Sequence, residues 1–167
     1  MTAPADKLRS LNQLAEECAV WHAEGATVVL ANGAFDLLHV GHLRYLAGAR
    51  ELGDRLVVAV NSDLSVRRSK GPHRPILPDA ERVEILSHLW MVDRICLFDD
   101  ATVAPVLEQL RPAVHAKGTD YTVETVPERA VVTAYGGRTA IVGDPKDHAT
   151  TDVIATILER FAPRATS

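Results

Sequence analysis

Along the chain, short runs of β-branched and aliphatic residues alternate with longer stretches in which apolar residues return every three or four positions. The short runs fall at residues 27–32, 55–61, 94–98, 113–117 and 138–142 and read as strands of a parallel sheet covered on both faces. The longer stretches, at 41–52, 79–89, 102–110, 128–135 and from about 151 to 161, carry helical period. Strand and helix taking turns in this way predict an α/β fold, a Rossmann-like doubly wound parallel sheet with helices on both faces. One more helix is expected over residues 7–22, where Leu8, Leu11, Leu14, Ala15, Cys18 and Trp21 share a face, packed outside the sheet. The chain then divides into a helical segment at 1–25, an α/β domain at 26–162 and a tail at 163–167.

Composition narrows the class. A length of 167 residues suits one domain, and 47% hydrophobic with 24% charged residues excludes wholesale disorder and fibrous repeats. No apolar run approaches the roughly 20 residues of a membrane-spanning helix. Residues 1–10 mix Asp6, Lys7 and Arg9 with no apolar core after them, so a secretory signal is not expected and a cytoplasmic location is. A net charge of -4 argues against a dedicated nucleic-acid binder. Cys18 and Cys96 lack metal-ligand spacing and read as buried thiols.

Candidate chemistry gathers after strand ends, where open α/β sheets bind ligands. Two loops stand out: 62–78, with Arg67, Arg68, Lys70, His73 and Arg74, and 143–150, with Asp144, Lys146, Asp147 and His148. Arg67 and Arg68 read as a solvated loop face. The turn after the first strand runs Asn32-Gly33-Ala34-Phe35-Asp36-Leu37-Leu38-His39-Val40-Gly41-His42. It is not GxGxxG, so a dinucleotide-binding dehydrogenase loses its main support. Two histidines three apart flank a helix N-terminus instead, with Gly41 between them. That suits a phosphate whose negative charge grows during reaction, because the helix dipole and preformed donors need no reorganisation. A cap plus a surface histidine is the bland alternative, and zinc is weaker because only Asp36, better suited to holding the loop, is near.

The same stretch resembles the GxFDxxHxGH signature of the HxGH nucleotidyltransferase superfamily. The likeness continues through Gly53–Asp63, Lys70-Gly71-Pro72-His73-Arg74-Pro75-Ile76, Glu81-Arg82 and Lys117-Gly118-Thr119-Asp120-Tyr121-Thr122, covering roughly residues 25 to 160. Within the superfamily these segments most resemble the heptose 1-phosphate adenylyltransferases, which often form the C-terminal half of a fused kinase–transferase. Departures are Ala34, where the family usually has cysteine, Ala149, where it has serine, and the stretches 126–128 and 145–148.

The resemblance implies AMP transfer from ATP to a sugar 1-phosphate, most closely a heptose 1-phosphate, with release of pyrophosphate and Mg²⁺ carried on the triphosphate. It assigns His39, His42 and Lys70 to catalysis. Nucleotide contacts fall to Asn32, Gly33, Ala34, Phe35, Gly41, Lys117, Gly118, Asp120, Thr150 and Thr151. Acceptor contacts fall to Asp36, Asn61, Asp63, Arg74, Arg82 and Tyr121. No protein-held metal, nucleic acid or membrane partner is expected. A homodimer is, with the apolar face of the first helix as one surface. Alternatives are a cytidylyltransferase acting on glycerol 3-phosphate or a similar alcohol phosphate, and a nonenzymatic nucleotide-binding domain.

Overall fold

In the computed structural model, residues 7–144 and 148–161 are described. Five strands, β1 (Val28–Gly33), β2 (Arg55–Asn61), β3 (Arg94–Phe98), β4 (Val114–Lys117) and β5 (Arg138–Ile141), form one sheet in the order β3-β2-β1-β4-β5. Every pairing is parallel, with Leu30 opposite both Val57 and His115. Strand order reverses between β1 and β4, so the crevice outside their carboxyl ends is the topological switch point.

Among the described residues seven α-helices accompany the strands: α1 (Leu11–Ala23), α2 (Val40–Arg50), α3 (Asp63–Lys70), α4 (Asp79–Ser87), α5 (Ala104–Leu110), α6 (Arg129–Ala134) and α7 (Thr150–Phe161). Period-two alternation along β1 and β2 splits the core. Val29, Ala31, Leu56, Val58 and Val60 meet Leu46 and Ala49 of α2 and Val83 and Leu86 of α4. Val28, Leu30, Val57 and Ala59 turn the other way, onto Leu14 and Cys18 of α1, Val106, Leu107 and Leu110 of α5 and Val132 of α6. Cys18 and Cys96 are buried free thiols whose pKa values burial pushes up to about 12.

Three expectations change. Residues 7–9 are not helical: the Arg9 N–H donates to the Ile95 carbonyl at 2.9 Å and the Ile95 N–H to Lys7 at 2.9 Å, covering the outer edge of β3. The helix starts where Ser10 and Gln13 form a capping box. The basic loop at 62–78 contains α3, capped by Ser62. The apolar face of α1 lies against the sheet through Leu14 and Cys18, so it offers no dimer surface. Of the loop 143–150, Pro145, Lys146 and Asp147 fall outside the described residues, as do residues 1–6 and the tail from 162.

Candidate active site

The turn between β1 and α2 is held by one carboxylate. Phe35 (φ 51°) and Leu37 (φ 48°) take the left-handed conformation that side chains disfavour. Asp36, between them, is buried and accepts hydrogen bonds from the Ile76 N–H (2.8 Å), the Leu77 N–H (3.0 Å) and Arg74 Nε (2.7 Å). Burial alone would raise its pKa, but those N–H groups and the guanidinium outweigh burial and hold the carboxyl below its ordinary value. The Thr150 hydroxyl donates to the Asp36 carbonyl at 2.7 Å, joining α7 to the same turn. Asp36 thus borders the pocket by its backbone, with its carboxylate engaged behind the wall, contrary to an acceptor contact through that group.

His39 is the N-cap of α2 and His42 its third residue, and their rings stack with centroids 3.9 Å apart. Gly41 suits this packing, since a Cβ there would lie 3.1 Å from the His39 ring, which would have to give way by a few tenths of an ångström. Burial, then the neighbouring His39 and Lys70, press the His42 pKa down to about 4. Its imidazole is therefore neutral near pH 7, and Nδ1 accepts from the His39 N–H at 3.3 Å. The proton must sit on Nε2, which makes His42 a donor without a charge. Burial likewise lowers His39, whose Nδ1 is buried without a partner. Tyr45, one turn on, donates to the Ala116 carbonyl (2.8 Å) and accepts from the Asn32 N–H (3.2 Å), tying α2 across β1 to β4.

From the other side α3 brings Lys70 to the pocket at its basic last turn. Arg74 lies beside it, and its Nη2 is buried without a hydrogen-bond partner, a donor left for an anion. Arg82 does not reach the pocket. Fully buried, it donates to the carbonyls of Leu77 (3.0 Å), Ala34 (2.5 Å) and Asn61 (2.8 Å) and to Asp63 (2.9 Å). Asp63 is held there too, accepting from the Asp79 N–H at 2.8 Å. The acceptor contacts expected of Arg82 and Asp63 are thus not available, because their polar atoms already brace the loops that form the wall.

The floor is polar at the end of β4. Lys117 Nζ lies 3.4 Å from Asn32 Oδ1, 3.9 Å from Glu128 Oε2 and 4.7 Å from the Tyr121 ring centre. Burial lowers its pKa while Glu128 opposes the shift. His115, wholly buried, places Nε2 3.0 Å from the same Asn32 oxygen. Burial, then Lys117, holds its pKa down at about 3. A Cβ on Gly118 would meet nothing within 4 Å, so this glycine faces open space at the pocket's edge. At α7, Ala149 holds the cap position ahead of Thr150: the Asp152 and Val153 N–H groups donate to its carbonyl.

These walls enclose a pocket of about 660 Å³ at the switch point. His39, His42 and Lys70 border it together with Asn32, Gly33, Ala34, Phe35 and Gly41, and with Lys117, Gly118 and Asp120. Of the other residues that the sequence named, Thr150, Thr151, Asn61, Arg74 and Tyr121 border it too, whereas Asp63 and Arg82 do not. Sequence reasoning missed Tyr45, Ser69 and Thr119 in the lining, and His115 and Glu128 beneath it. Tyr45 had a signal, being three residues after His42 and so on its face; His115 and Glu128 had none.

A neutral imidazole donor, an arginine, two lysines and a helix N-terminus thus meet at the switch-point pocket of a Rossmann-like fold, a donor set suited to phosphate groups. The chain belongs to the cytidylyltransferase-like family, the profile of which spans residues 30–161. It is 44% identical over 155 residues to the bifunctional protein HldE of Syntrophotalea carbinolica and 46% identical to that of Geobacter sulfurreducens. In both cases the match takes in 93% of this chain and 32% of the relative's length. Among solved structures it is similar to the lipopolysaccharide core biosynthesis protein of Thermoplasma volcanium, with TM-score 0.63 and 29% identity over 72% of this chain and 99% of that one. The pantoate-beta-alanine ligase of Francisella tularensis shares the fold at TM-score 0.59 and 14% identity, over 86% of this chain and 68% of that one. No helix among the described residues is long and apolar enough to cross a membrane.

Proposed function

We propose that the chain transfers the adenylyl group of ATP to the phosphate of a sugar 1-phosphate, most closely a heptose 1-phosphate, releasing pyrophosphate. The observation that carries this reading is the donor set around one pocket: the His42 Nε2–H, the unpartnered Arg74 Nη2 and the α2 N-terminus on one side, Lys70 and Lys117 on the others. An acceptor phosphate oxygen attacks the α-phosphorus, the new P–O bond forms, and the bond to the β-phosphate oxygen breaks with its electron pair leaving on pyrophosphate. The nucleophile is already an anion, so no general base is required. His42 donates to the α-phosphoryl oxygens as their charge grows, His39 and the helix N-terminus beside it do the same, and Lys70 meets the departing pyrophosphate. Asp120 and Tyr121 border the side on which sugar hydroxyls would lie.

On this reading a magnesium ion would be carried by the triphosphate, facing the lysines and Arg74 that border the pocket. When bound, the ion would neutralise charge on the β- and γ-phosphates. The reading extends to a homodimer. Helix α7 buries none of its residues and exposes Val153, Ile157 and Phe161 at four-residue steps beside a second cavity of about 370 Å³. Two such helices paired antiparallel would cover both stripes and set the Asp152 end of one against the Arg160 end of the other.

The decisive test is pyrophosphate release with Mg²⁺, pairing ATP or CTP with heptose 1-phosphates, hexose 1-phosphates and glycerol 3-phosphate. Turnover with ATP and a heptose 1-phosphate is expected. Activity confined to CTP and an alcohol phosphate would overturn the substrate assignment, and nucleotide binding without pyrophosphate release in any pairing would overturn the reaction.

A further inference from the structure

We infer that His115 is a positioning residue for the nucleotide: acting through Asn32, it decides which end of an amide the pocket sees. Asn32 is the next-to-last residue of β1 and borders the pocket, and His115 stands on the neighbouring strand β4, wholly buried. Two groups approach the same Asn32 atom, His115 Nε2 at 3.0 Å and Lys117 Nζ at 3.4 Å. A lysine ammonium has protons to give and no lone pair to offer, so the atom it contacts is the amide oxygen and not the nitrogen. Glu128, 3.9 Å from Nζ, favours the charged ammonium on which that step depends.

With the oxygen placed, His115 Nε2 has to be the donor, which fixes its tautomer as Nε2–H. Two donors then pin the Asn32 oxygen beneath the pocket floor. Its Nδ2, bonded to no described residue, is left with two protons for the ligand. An acceptor-rich group of the nucleotide, a phosphate or ribose oxygen or a ring nitrogen, is what such a donor takes. The other side of His115 strengthens the case. Its Nδ1 is buried with no partner, so as a core residue it is inferior to a leucine of similar size, and packing alone does not call for it.

This role rests on the adenylyl-transfer reading, and the experiment separates the two. Nucleotide affinity and steady-state kinetics would be measured for His115→Leu in the wild-type and Asn32→Ala backgrounds, alongside melting curves and ¹⁵N spectra of the His115 imidazole. His115→Leu should melt no lower than wild type, yet raise Kd and KM for MgATP about fivefold to tenfold, as the loss of one oriented hydrogen bond would. In the Asn32→Ala background the same substitution should change them by less than about twofold. The spectra should show the neutral Nε2–H tautomer. An equal effect in both backgrounds would make His115 merely structural and overturn the role. So would an Nδ1–H tautomer in a protein that binds nucleotide normally. A wild-type chain with the Nε2–H tautomer but no affinity for nucleotide would overturn the adenylyl-transfer reading, and this role with it.

Discussion

At the scale of single residues the site depends on two groups held in defined protonation states, His42 neutral by burial and Asp36 ionised by its hydrogen bonds and Arg74. His42 works as a neutral donor, so a side chain that presents an N–H at the same reach should replace part of it. His42→Ala is expected to lower kcat about 10²- to 10³-fold, the usual cost of removing one donor to a developing oxyanion. His42→Gln, with its amide N–H in the place of Nε2–H, should recover part of that in single-turnover rates. Near wild-type rates for the alanine variant would remove His42 from the chemistry. Asp36 plays a different part. It sits between two left-handed residues and its carboxylate satisfies two N–H groups and Arg74. Asp36→Ala leaves those donors stranded and should cost about 3–5 kcal/mol in denaturant unfolding, as other broken buried pairs do.

The same two groups set an acid limit on folding. For His42 the folded value of about 4 lies below the ordinary 6.5, so between these values the unfolded chain binds a proton that the folded one refuses. Its contribution is complete above about pH 6.5 and disappears as pH falls toward 4, worth on the order of 3 kcal/mol for a displacement of this size. Asp36 is also shifted downward, which for a carboxyl favours the charged form, so its contribution is complete above the ordinary carboxyl value and is lost only at lower pH. Unfolding free energy measured from pH 7.5 to 4 should fall, and the fall should be shallower in His42→Gln. An unchanged slope in that variant would show that His42 is not the group responsible.

At the scale of elements, α3 carries the next prediction because it delivers Lys70 to the pocket. Its N-cap is Ser62, whose side chain accepts from the Ser65 N–H at 3.2 Å and donates to Asp99. Ser62→Ala should cost about 1 kcal/mol for the cap. The activity lost should exceed what the unfolded fraction explains, since fraying α3 moves Lys70; activity that simply tracks the folded fraction would contradict this. This helix also shows where the sequence was hard to read. Strands β2 and β3 were legible to the residue because each holds an unbroken apolar run after an opening arginine, and the signature turn was legible because its spacing is unusual. Helix α3 buries only Ser65 and Val66, too few for a period, and its run of arginines and lysine resembled a solvated loop. Residues 7–9 failed for the opposite reason: Leu8 fits the helical stripe of α1, yet backbone pairing with Ile95 wins. Within the site, side chains adjacent in sequence to the signature could be named, whereas His115 and Glu128 matter only through contacts that the fold creates.

At the scale of the whole molecule, the two sheet faces are closed by α1, α5 and α6 on one side and α2 and α4 on the other, and α7 is left with its apolar stripe in solvent. Phe161 is 78% exposed there and Ile157 48%, more apolar surface than a helix end normally shows without a partner. A stripe starting from the N-terminus that carries Thr150 and Thr151 has a further consequence: whatever covers it also restrains the wall of the pocket, because Thr150 is bonded to the Asp36 turn. Pairing of two chains through α7 would therefore link assembly to nucleotide affinity. Sedimentation of the wild-type chain is expected to show a dimer, and Ile157→Asp or Phe161→Asp a monomer that remains folded but binds MgATP more weakly. A wild-type monomer would dismiss the pairing. A dimer indifferent to both substitutions would place the interface on another face, and unaltered affinity in a true monomer would uncouple α7 from the site.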